Sequence, residues 1–274
     1  MAKTIFITGA SRGFGKIWAE AFLERGDNVV ATSRSAGGLK DLVVKYGSVV
    51  LPMELEVTNR AACFDAMAKA KFHFGSIDVV INNAGTGLFG TVEELDEQAA
   101  KDIIDANLFG TLWITQAALP IMRAQGSGHI VQLSSALGIY SFATAGMYCA
   151  SKFAVEGLSE ALAQEVKGFG IKVTLVEPNG YATDFNNSSI QSNPISAYDN
   201  MKAELYALPE FAAADAYGDP KATSEAILEL VDTPNPPLRL ILGKKALPLA
   251  QYIYAERLAT WEDWKDVSVK AHGL

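Results

Sequence analysis

Apolar residues in this chain fall into short runs that alternate with longer amphipathic stretches, and that alternation predicts the fold. Residues 3–8 form a short apolar strand, and a glycine-rich turn follows over residues 9–15. Residues 17–25 carry Trp18, Ala21 and Phe22 on one side, the pattern of an amphipathic helix, and residues 28–32 read as the next strand. The first thirty or so residues are thus a βαβ opening. A helix at about 38–46, a strand at 49–53 and a helix at 59–74 continue the alternation. The strand at 78–82 is apolar without interruption, as expected where both faces of a parallel sheet are covered. One long helix is predicted from about 97 to 123, with Pro120 ending or kinking its last turn. A strand at 129–133, a long helix at 147–168 and a strand at 172–176 follow.

Beyond Pro178 the pattern loosens. The polar, Ser/Asn-rich stretch 186–197 reads as a loop or mobile lid. A helix at about 220–232, the breaker run TPNPP, a strand at 239–242 and a helix at about 244–264 complete the chain. Seven strands alternating with helices, with no linker between them, predict a single doubly wound α/β domain over residues 1–274. Its seven-stranded parallel sheet should carry helices on both faces. No repeat of solenoid period is present.

Composition narrows the function classes. Hydrophobic residues make up 49% and charged residues 20% of the 274, enough for a substantial core. The net charge of −8, with no Lys/Arg-rich run, argues against a nucleic-acid partner. The strand pattern begins at once and leaves no room for a signal peptide, and no apolar run approaches the roughly 18 residues of a membrane span. Two cysteines, Cys63 and Cys149, fit no disulfide framework, so the expected setting is cytoplasmic and reducing. His73, His129 and His272 are scattered without metal-ligand spacing and are expected at the surface or at helix ends, so no metal site is predicted.

The turn TGASRGFG places Gly9, Gly13 and Gly15 between the first strand and the first helix, with Ser11, Arg12 and Phe14 among them. Glycines there let the backbone turn sharply and approach a pyrophosphate seated at the positive end of the helix. The alternative is a tight βα turn with nothing bound. A second run, GTGLFG at Gly85–Gly90, matches the usual G-x-G-x-x-G expression, but no helix follows it directly, so it is rejected as the phosphate loop. Where an NAD site ends its second strand in an acid, this chain has Ser33 followed by Arg34. A carboxylate would repel a 2′-phosphate, whereas Ser33 can hydrogen-bond it and Arg34 can pair with it, with Arg12 in reach. The expected cofactor is therefore NADP (NADPH).

The stretch from Ser134 to Lys152 supplies the chemistry. Tyr148 and Lys152 share a helical face, and Ser135 stands at a strand end thirteen residues before the tyrosine. A phenol beside an ammonium, with a hydroxyl nearby, is a proton-transfer arrangement. The same Tyr-x-x-x-Lys spacing occurs at Tyr198/Lys202 and Tyr217/Lys221, where Phe185 and Glu204 replace the serine. Those two pairs are assigned to surface helix or loop.

These features together resemble the short-chain dehydrogenase/reductases over about residues 3–185. The resemblance rests on TGASRGFG, the NNAG of Asn82–Gly85, Asn107 in DANLFG, Ser135, YCASK at 148–152, and PNGYATDF from Pro178. It implies a Rossmann-type domain, with a cofactor-binding portion at about 1–185 and a substrate loop and C-terminal helices at about 186–274. The YCASKFAVEGLSEAL run is also similar to the branch holding hydroxysteroid dehydrogenases and carbonyl reductases. A tetrad is implied: Ser135 positions a carbonyl oxygen, Tyr148 transfers its proton, Lys152 tunes Tyr148 and holds the nicotinamide ribose, and Asn107 holds a relay water. An ordinary phenol has a pKa near 10, and the Lys152 ammonium would lower it; roughly three units correspond to about 4 kcal/mol. Asn107 could instead be a helix-interior polar residue, and Ser134 could replace Ser135, although the spacing to Tyr148 selects Ser135.

The resemblance also places Asn83, Ala84 and Gly85 on the adenosine side, or else makes NNAG a structural brace for the central strand. Pro178, Gly180, Tyr181 and Thr183 are assigned to the nicotinamide end. Glu56 and Val57 follow the third strand, with Glu56 where the family usually has Asp, and Asn179 separates Pro178 from Gly180 where many members read Pro-Gly. Leu88, Phe89, Leu137, Tyr140, Tyr181 and Phe185 are the expected pocket wall, with no charged residue near it. An apolar ketone, aldehyde or secondary alcohol follows as substrate. The leading expectation is an NADPH-dependent carbonyl reductase. The alternatives are an NADP-dependent alcohol or hydroxysteroid dehydrogenase running oxidatively, and a non-catalytic NADPH-sensing regulator. The helices at about 97–123 and 147–168 commonly form subunit contacts in the family, which implies a homodimer or homotetramer.

Overall fold

The computed structural model describes residues 2–208, 213 and 215–273. Its first half runs β1 (Thr4–Ile7), α1 (Gly13–Arg25), β2 (Asn28–Ser33), α2 (Lys40–Tyr46), β3 (Val50–Glu54), α3 (Arg60–Phe74) and β4 (Val79–Asn82). A two-residue strand β5 (Leu88–Phe89), α4 (Glu97–Ile104), α5 (Gly110–Gln125), β6 (Gly128–Leu133), α6 (Gly146–Val166) and β7 (Ile171–Pro178) follow. The last part holds α7 (Phe185–Ser188), β8 (Ile190–Gln191), α8 (Asp199–Tyr206), α9 (Thr223–Asp232), β9 (Arg239–Leu242), α10 (Ala246–Asp263) and α11 (Lys265–Ala271).

Seven strands make one parallel sheet in the order β3-β2-β1-β4-β6-β7-β9. The central strands are apolar on both faces because both are covered. Ile5, Ile7, Val29 and Ala31 pack with Trp18 and Phe22 of α1 and Ile227 and Leu230 of α9. On the opposite face Phe6, Val30, Val80 and Ile130 meet Met67 of α3, Ile114 and Met122 of α5 and Leu162 of α6. The order reverses between β1 and β4, which opens a crevice at the carboxyl ends of the strands.

The helix ends follow from their residues. Asn59 caps α3 by accepting from the Ala62 amide at 3.0 Å, and Asp96 caps α4 by accepting from Gln98 and Ala99. Gly26 closes α1 in the left-handed conformation, φ 95°.

Several expectations change. The predicted helix 97–123 is α4 and α5 joined by a π-helical turn, Asp105–Phe109, and Pro120 lies inside α5 without ending it. The stretch 186–197 is not a simple loop, since it contains β8, which pairs in parallel with β5. Strands of two residues carry no readable period. The C-terminal helix begins at Ala246 and is followed by α11. His129 is buried within β6, its Nε2 3.0 Å from the Thr174 hydroxyl. Burial, with the charges of Lys172 and Lys3, pushes it down to about 4. Among the described residues no helix is long and apolar enough to cross a membrane.

Trp18 joins the first and last parts of this core, because its indole Nε1 donates to Thr223 Oγ1 at 2.8 Å while the ring is fully buried. Trp18→Ala should cost about 3–5 kcal/mol in urea unfolding, from the cavity and the lost partner of Thr223. A loss below ~1 kcal/mol would show that α9 does not depend on this contact.

Candidate active site

The crevice is a continuous cleft of about 1560 Å³, larger than a single small-ligand site. Of the predicted site residues, all but Gly15 and Asn107 line it. Its floor begins at the turn between β1 and α1. Gly9 and Gly13 have φ of 69° and 54°, the left-handed region. A Cβ on Gly15 would run into the Gly9 carbonyl. The α1 N-terminus has no side-chain cap and no acid in its first turn, so its free amides face the cleft. These features fit the pyrophosphate of a dinucleotide.

NNAG braces that turn. Thr8 Oγ1 accepts from the Asn83 and Ala84 amides at 3.0 and 2.9 Å. The Asn83 side chain donates to the carbonyls of Thr8 and Gly9 at 2.9 and 3.1 Å. The structural alternative for Asn83 therefore describes its amide nitrogen, although the residue still borders the cleft. At the end of β2 the Ser33 hydroxyl donates to the Ser35 carbonyl, so its proton is directed away from an incoming phosphate. Arg12 and Arg34 are exposed on the cleft rim, and neither forms an ion pair among the described residues. Glu56 accepts from the Thr58 amide at 3.2 Å within its own turn, while Val57 packs against Gly110.

Ser135, Tyr148 and Lys152 meet at the ends of β6 and α6. Ser135 Oγ accepts from the Leu137 amide at 3.1 Å, which leaves its O–H free to donate. Lys152 Nζ donates to the Leu133 carbonyl at 2.7 Å and lies 5.8 Å from the centre of the Tyr148 ring. Burial pushes the Tyr148 phenol up to about 12, with the Ser135 hydroxyl pulling the other way. The shift is opposite in sense to the expected lowering, because desolvation of the phenolate dominates. The same burial pushes Lys152 down to about 8 against the charge of Glu156.

Asn107 sits in the π-helical turn, almost wholly buried. Its Nδ2 donates to the Thr86 carbonyl (3.0 Å) and Ser151 Oγ (2.9 Å), and its Oδ1 accepts from the Thr86 amide (2.8 Å). Its own carbonyl accepts from Thr111 Oγ1 at 2.8 Å. The side chain is spent fastening the segment after NNAG to α6. Such turns concentrate at functional sites because they redirect backbone groups.

The other wall comes from the loop after β7. Tyr181 stands edge-on to Phe14 at 5.2 Å, and Phe14 stacks on Trp18 at 5.1 Å. Asn179 keeps the inserted position by donating from its amide to the Leu242 carbonyl at 3.0 Å. Phe89, Leu137, Tyr140 and Phe185 line the far end of the cleft, joined by Phe142, Tyr206, Pro248 and Leu249. Leu88 does not line it; it is buried behind Tyr148 with Ile103. Nor is the cleft free of charge, because Lys244, Lys245 and Asp215 stand on it, with Lys244 2.6 Å from Asp215. The pairing of Leu242 with Pro178 brings residues 244–245 beside the β7 loop, a register that the sequence pattern does not reveal.

A sequence model described as short chain dehydrogenase matches residues 3–194. The chain belongs to the short-chain dehydrogenase/reductase family. It is 38% identical over 273 residues to Oxidoreductase BOA17 of Botryotinia fuckeliana (strain B05.10), covering 98% of this chain and 99% of that one. It is 37% identical over 258 residues to a 3-ketodihydrosphingosine reductase of Bacteroides thetaiotaomicron, covering 92% and 90%. Among solved structures, a short-chain dehydrogenase from Streptomyces avermitilis superposes with TM-score 0.89 at 36% identity, covering 98% of each chain. An alcohol dehydrogenase from Thermococcus sibiricus complexed with 5-hydroxy-NADP gives TM-score 0.72 at 26% identity, covering 88% of this chain and 96% of that one. This short-chain dehydrogenase is thus an oxidoreductase of CH–OH and C=O groups, built for a nicotinamide dinucleotide.

A carboxylate holds the segment over the far end of the cleft. Glu94 is buried; it accepts from the Thr91 amide (2.8 Å), the Ile195 amide (2.7 Å) and the Lys202 ammonium. Tyr198 donates to Glu93 at 2.6 Å. The Tyr198/Lys202 pair, which carries no strand-end serine, is therefore a latch for α8. Thr144, with φ 66°, places its hydroxyl 3.3 Å from that of Tyr206 at the helix end. The Lys202 ammonium and the Ile195 amide hold Glu94 down to about 2. A lowered carboxylate stabilises fully above its unfolded pKa near 4.3 and loses that contribution as pH falls toward 2. Glu94→Gln should therefore speed limited proteolysis within residues 190–206 at neutral pH while leaving the global unfolding midpoint nearly unchanged. Unaltered cleavage would remove the latch.

Proposed function

We propose that this protein reduces an apolar ketone or aldehyde to the alcohol with NADPH. The observation that carries the reading is the Tyr148 phenol, which opens on an aromatic-lined cleft and is held protonated by its burial. A phenol in that state is a proton donor, the partner that a carbonyl oxygen needs as its carbon is reduced. When bound, the nicotinamide supplies the hydride. Ser135 then donates its O–H to the substrate oxygen, while the Leu137 amide engages one of its lone pairs and fixes the hydroxyl in place. Tyr148 gives its proton to the same oxygen. Lys152, brought down to about 8, is labile enough near neutral pH to return a proton to the phenolate.

Pro178, Gly180, Tyr181 and Thr183 are assigned the nicotinamide end, and Glu56, Val57, Asn83, Ala84 and Gly85 the adenosine side. Asn107 acts here as a positioning residue. NADPH is favoured over NADH because no acid stands at the end of β2 and two exposed guanidinium groups border the place of a 2′-phosphate. The relative named 3-ketodihydrosphingosine reductase, a ketone reductase by its name, supports the reductive direction. A homodimer or homotetramer through α5 and α6 is supported by Phe109 and Phe153, each 38% exposed, with Phe109 stacked on Trp113.

Tyr148→Phe should lower NADPH oxidation with apolar carbonyl compounds by at least about 100-fold while leaving cofactor affinity intact. A fully active variant would overturn the mechanism, and inactivity of the natural chain despite tight NADPH binding would indicate a sensor. Arg12→Ala with Arg34→Ala should raise the KM for NADPH about 10- to 100-fold with little effect on NADH. Equal affinity for the two cofactors in the natural protein would refute the assignment of those arginines. The reduction rate should fall as pH rises through about 8, where Lys152 loses its proton.

A further inference from the structure

Behind the catalytic groups lies a buried acidic pair that the proposed reaction does not use. Glu156 lies on α6 one turn beyond Lys152, and Glu177 lies on β7 just before Pro178. Both are buried, Glu177 completely. One cation serves them: Arg239 Nε is 3.0 Å from Glu156 Oε2 and 3.5 Å from Glu177 Oε1. The other arm of that guanidinium is drawn away, its Nη2 2.8 Å from the exposed Glu160. Among the described residues no hydrogen bond within normal geometry reaches Glu156 Oε1, either oxygen of Glu177, or the hydroxyl of buried Ser134. Gly138 leaves the room for this grouping, since a Cβ there would press on both Ser134 Oγ and Glu156 Oε1.

Two neighbouring carboxylates with half of one guanidinium between them cannot both stay ionised. A proton on Glu177, donated to Glu156, satisfies the orphaned oxygens and removes the repulsion. Glu156 keeps the charge because Arg239 lies closer to it and the Ser134 hydroxyl faces it. Burial and the adjacent Glu156 push Glu177 up to about 8, while Ser134 and Arg239 oppose the rise at Glu156.

We propose that Glu156 and Glu177 share one proton at neutral pH, and that the single charge left on Glu156 is a positioning element that keeps Lys152 an ammonium. Charged and titratable groups face the pair from every side: Lys152 and Glu160 from the adjoining turns of α6, Arg239 from β9, and Tyr148 beyond Lys152. With two charges the pair would repel itself, and with none Lys152 would meet its desolvation unopposed. The assignment rests on the proton-donor reading of Tyr148 and Lys152 above only for its effect on turnover.

The test therefore reads the pair without turnover first. Infrared spectra at neutral pH should show the C=O band of a buried carboxylic acid, absent in Glu177→Gln and retained in Glu160→Gln. Carbon-13 NMR of labelled lysine, with the Lys152 signal assigned by Lys152→Met, should show its titration falling by roughly one unit in Glu156→Gln. Glu177→Gln, which retains a hydrogen-bond donor, should leave that titration close to the natural one. Should Glu156→Gln fail to fold, Arg239→Gln gives a second test, since without the guanidinium that holds its charge Glu156 takes up a proton and the Lys152 titration should fall. In an active reductase the alkaline limb of kcat should move with the NMR value. Absence of the acid band, or a Lys152 titration unmoved in Glu156→Gln and Arg239→Gln, would overturn the proposal. Absence of turnover with the NMR shift present would instead refute the reductase reading alone.

Discussion

Everything in this site depends on how the carboxyl ends of β1 and β4 are fastened together. The sheet order reverses between these strands, and parallel pairing alone would leave an open crevice there. Thr8 and Asn83 close its floor with four hydrogen bonds, two to the Thr8 hydroxyl and two from the Asn83 amide. The glycine turn is thereby fixed to the strand on the far side of the switch. Asn107 extends the same fastening through Thr86 to Ser151, whose hydroxyl donates to the Tyr148 carbonyl at 2.7 Å. A continuous polar chain thus sets the distance from the glycine turn to the helix that carries the phenol.

The legible parts of the sequence were those with a local signal. The seven main strands are short apolar runs, so their existence could be read, and the strand-turn-helix context separated Gly9–Gly15 from the decoy at Gly85–Gly90. The serine upstream of Tyr148 likewise separated that tyrosine from Tyr198 and Tyr217. What was not legible depends on partners far away in the chain. β5 and β8 are two residues each and exist because they pair across a gap of about a hundred residues. Lys244 and Lys245 reach the cleft through the register of β9 on β7. The place of Leu88 is not readable locally, because an apolar residue after NNAG is equally suited to a pocket wall and to the core behind it, and only packing against Ile103 decides.

The same division separates the two ends of the cleft. The cofactor end is made from strand ends and one helix N-terminus, elements whose positions the sheet enforces. The far end is made from α8, the loop after β7 and the start of α10, with α8 held through side chains such as Glu94 and Lys202. A carboxylate with three donors can hold such a segment firmly without a hydrophobic core beneath it, because charge-assisted hydrogen bonds in a buried setting are strong. Loops held this way can change sequence while the sheet stays the same, which is why this end of the cleft falls in the part of the chain with the weakest pattern.

Burial then links the site's architecture to its protonation states. The elements that exclude water from Tyr148 also raise the phenol and lower Lys152, so the two groups move toward a neutral pair. A neutral phenol is an acid in waiting and a poor base, whereas alcohol oxidation would require the phenolate. Keeping the lysine charged in the same dry setting requires a negative charge nearby, and Glu156, one helical turn away, is placed to supply it. The neighbouring Glu177 limits that charge to one, because burial favours its protonated form. Desolvation therefore acts on the phenol, the ammonium and the carboxyl pair together, raising Tyr148 and Glu177 and lowering Lys152, so that each is drawn toward its neutral form.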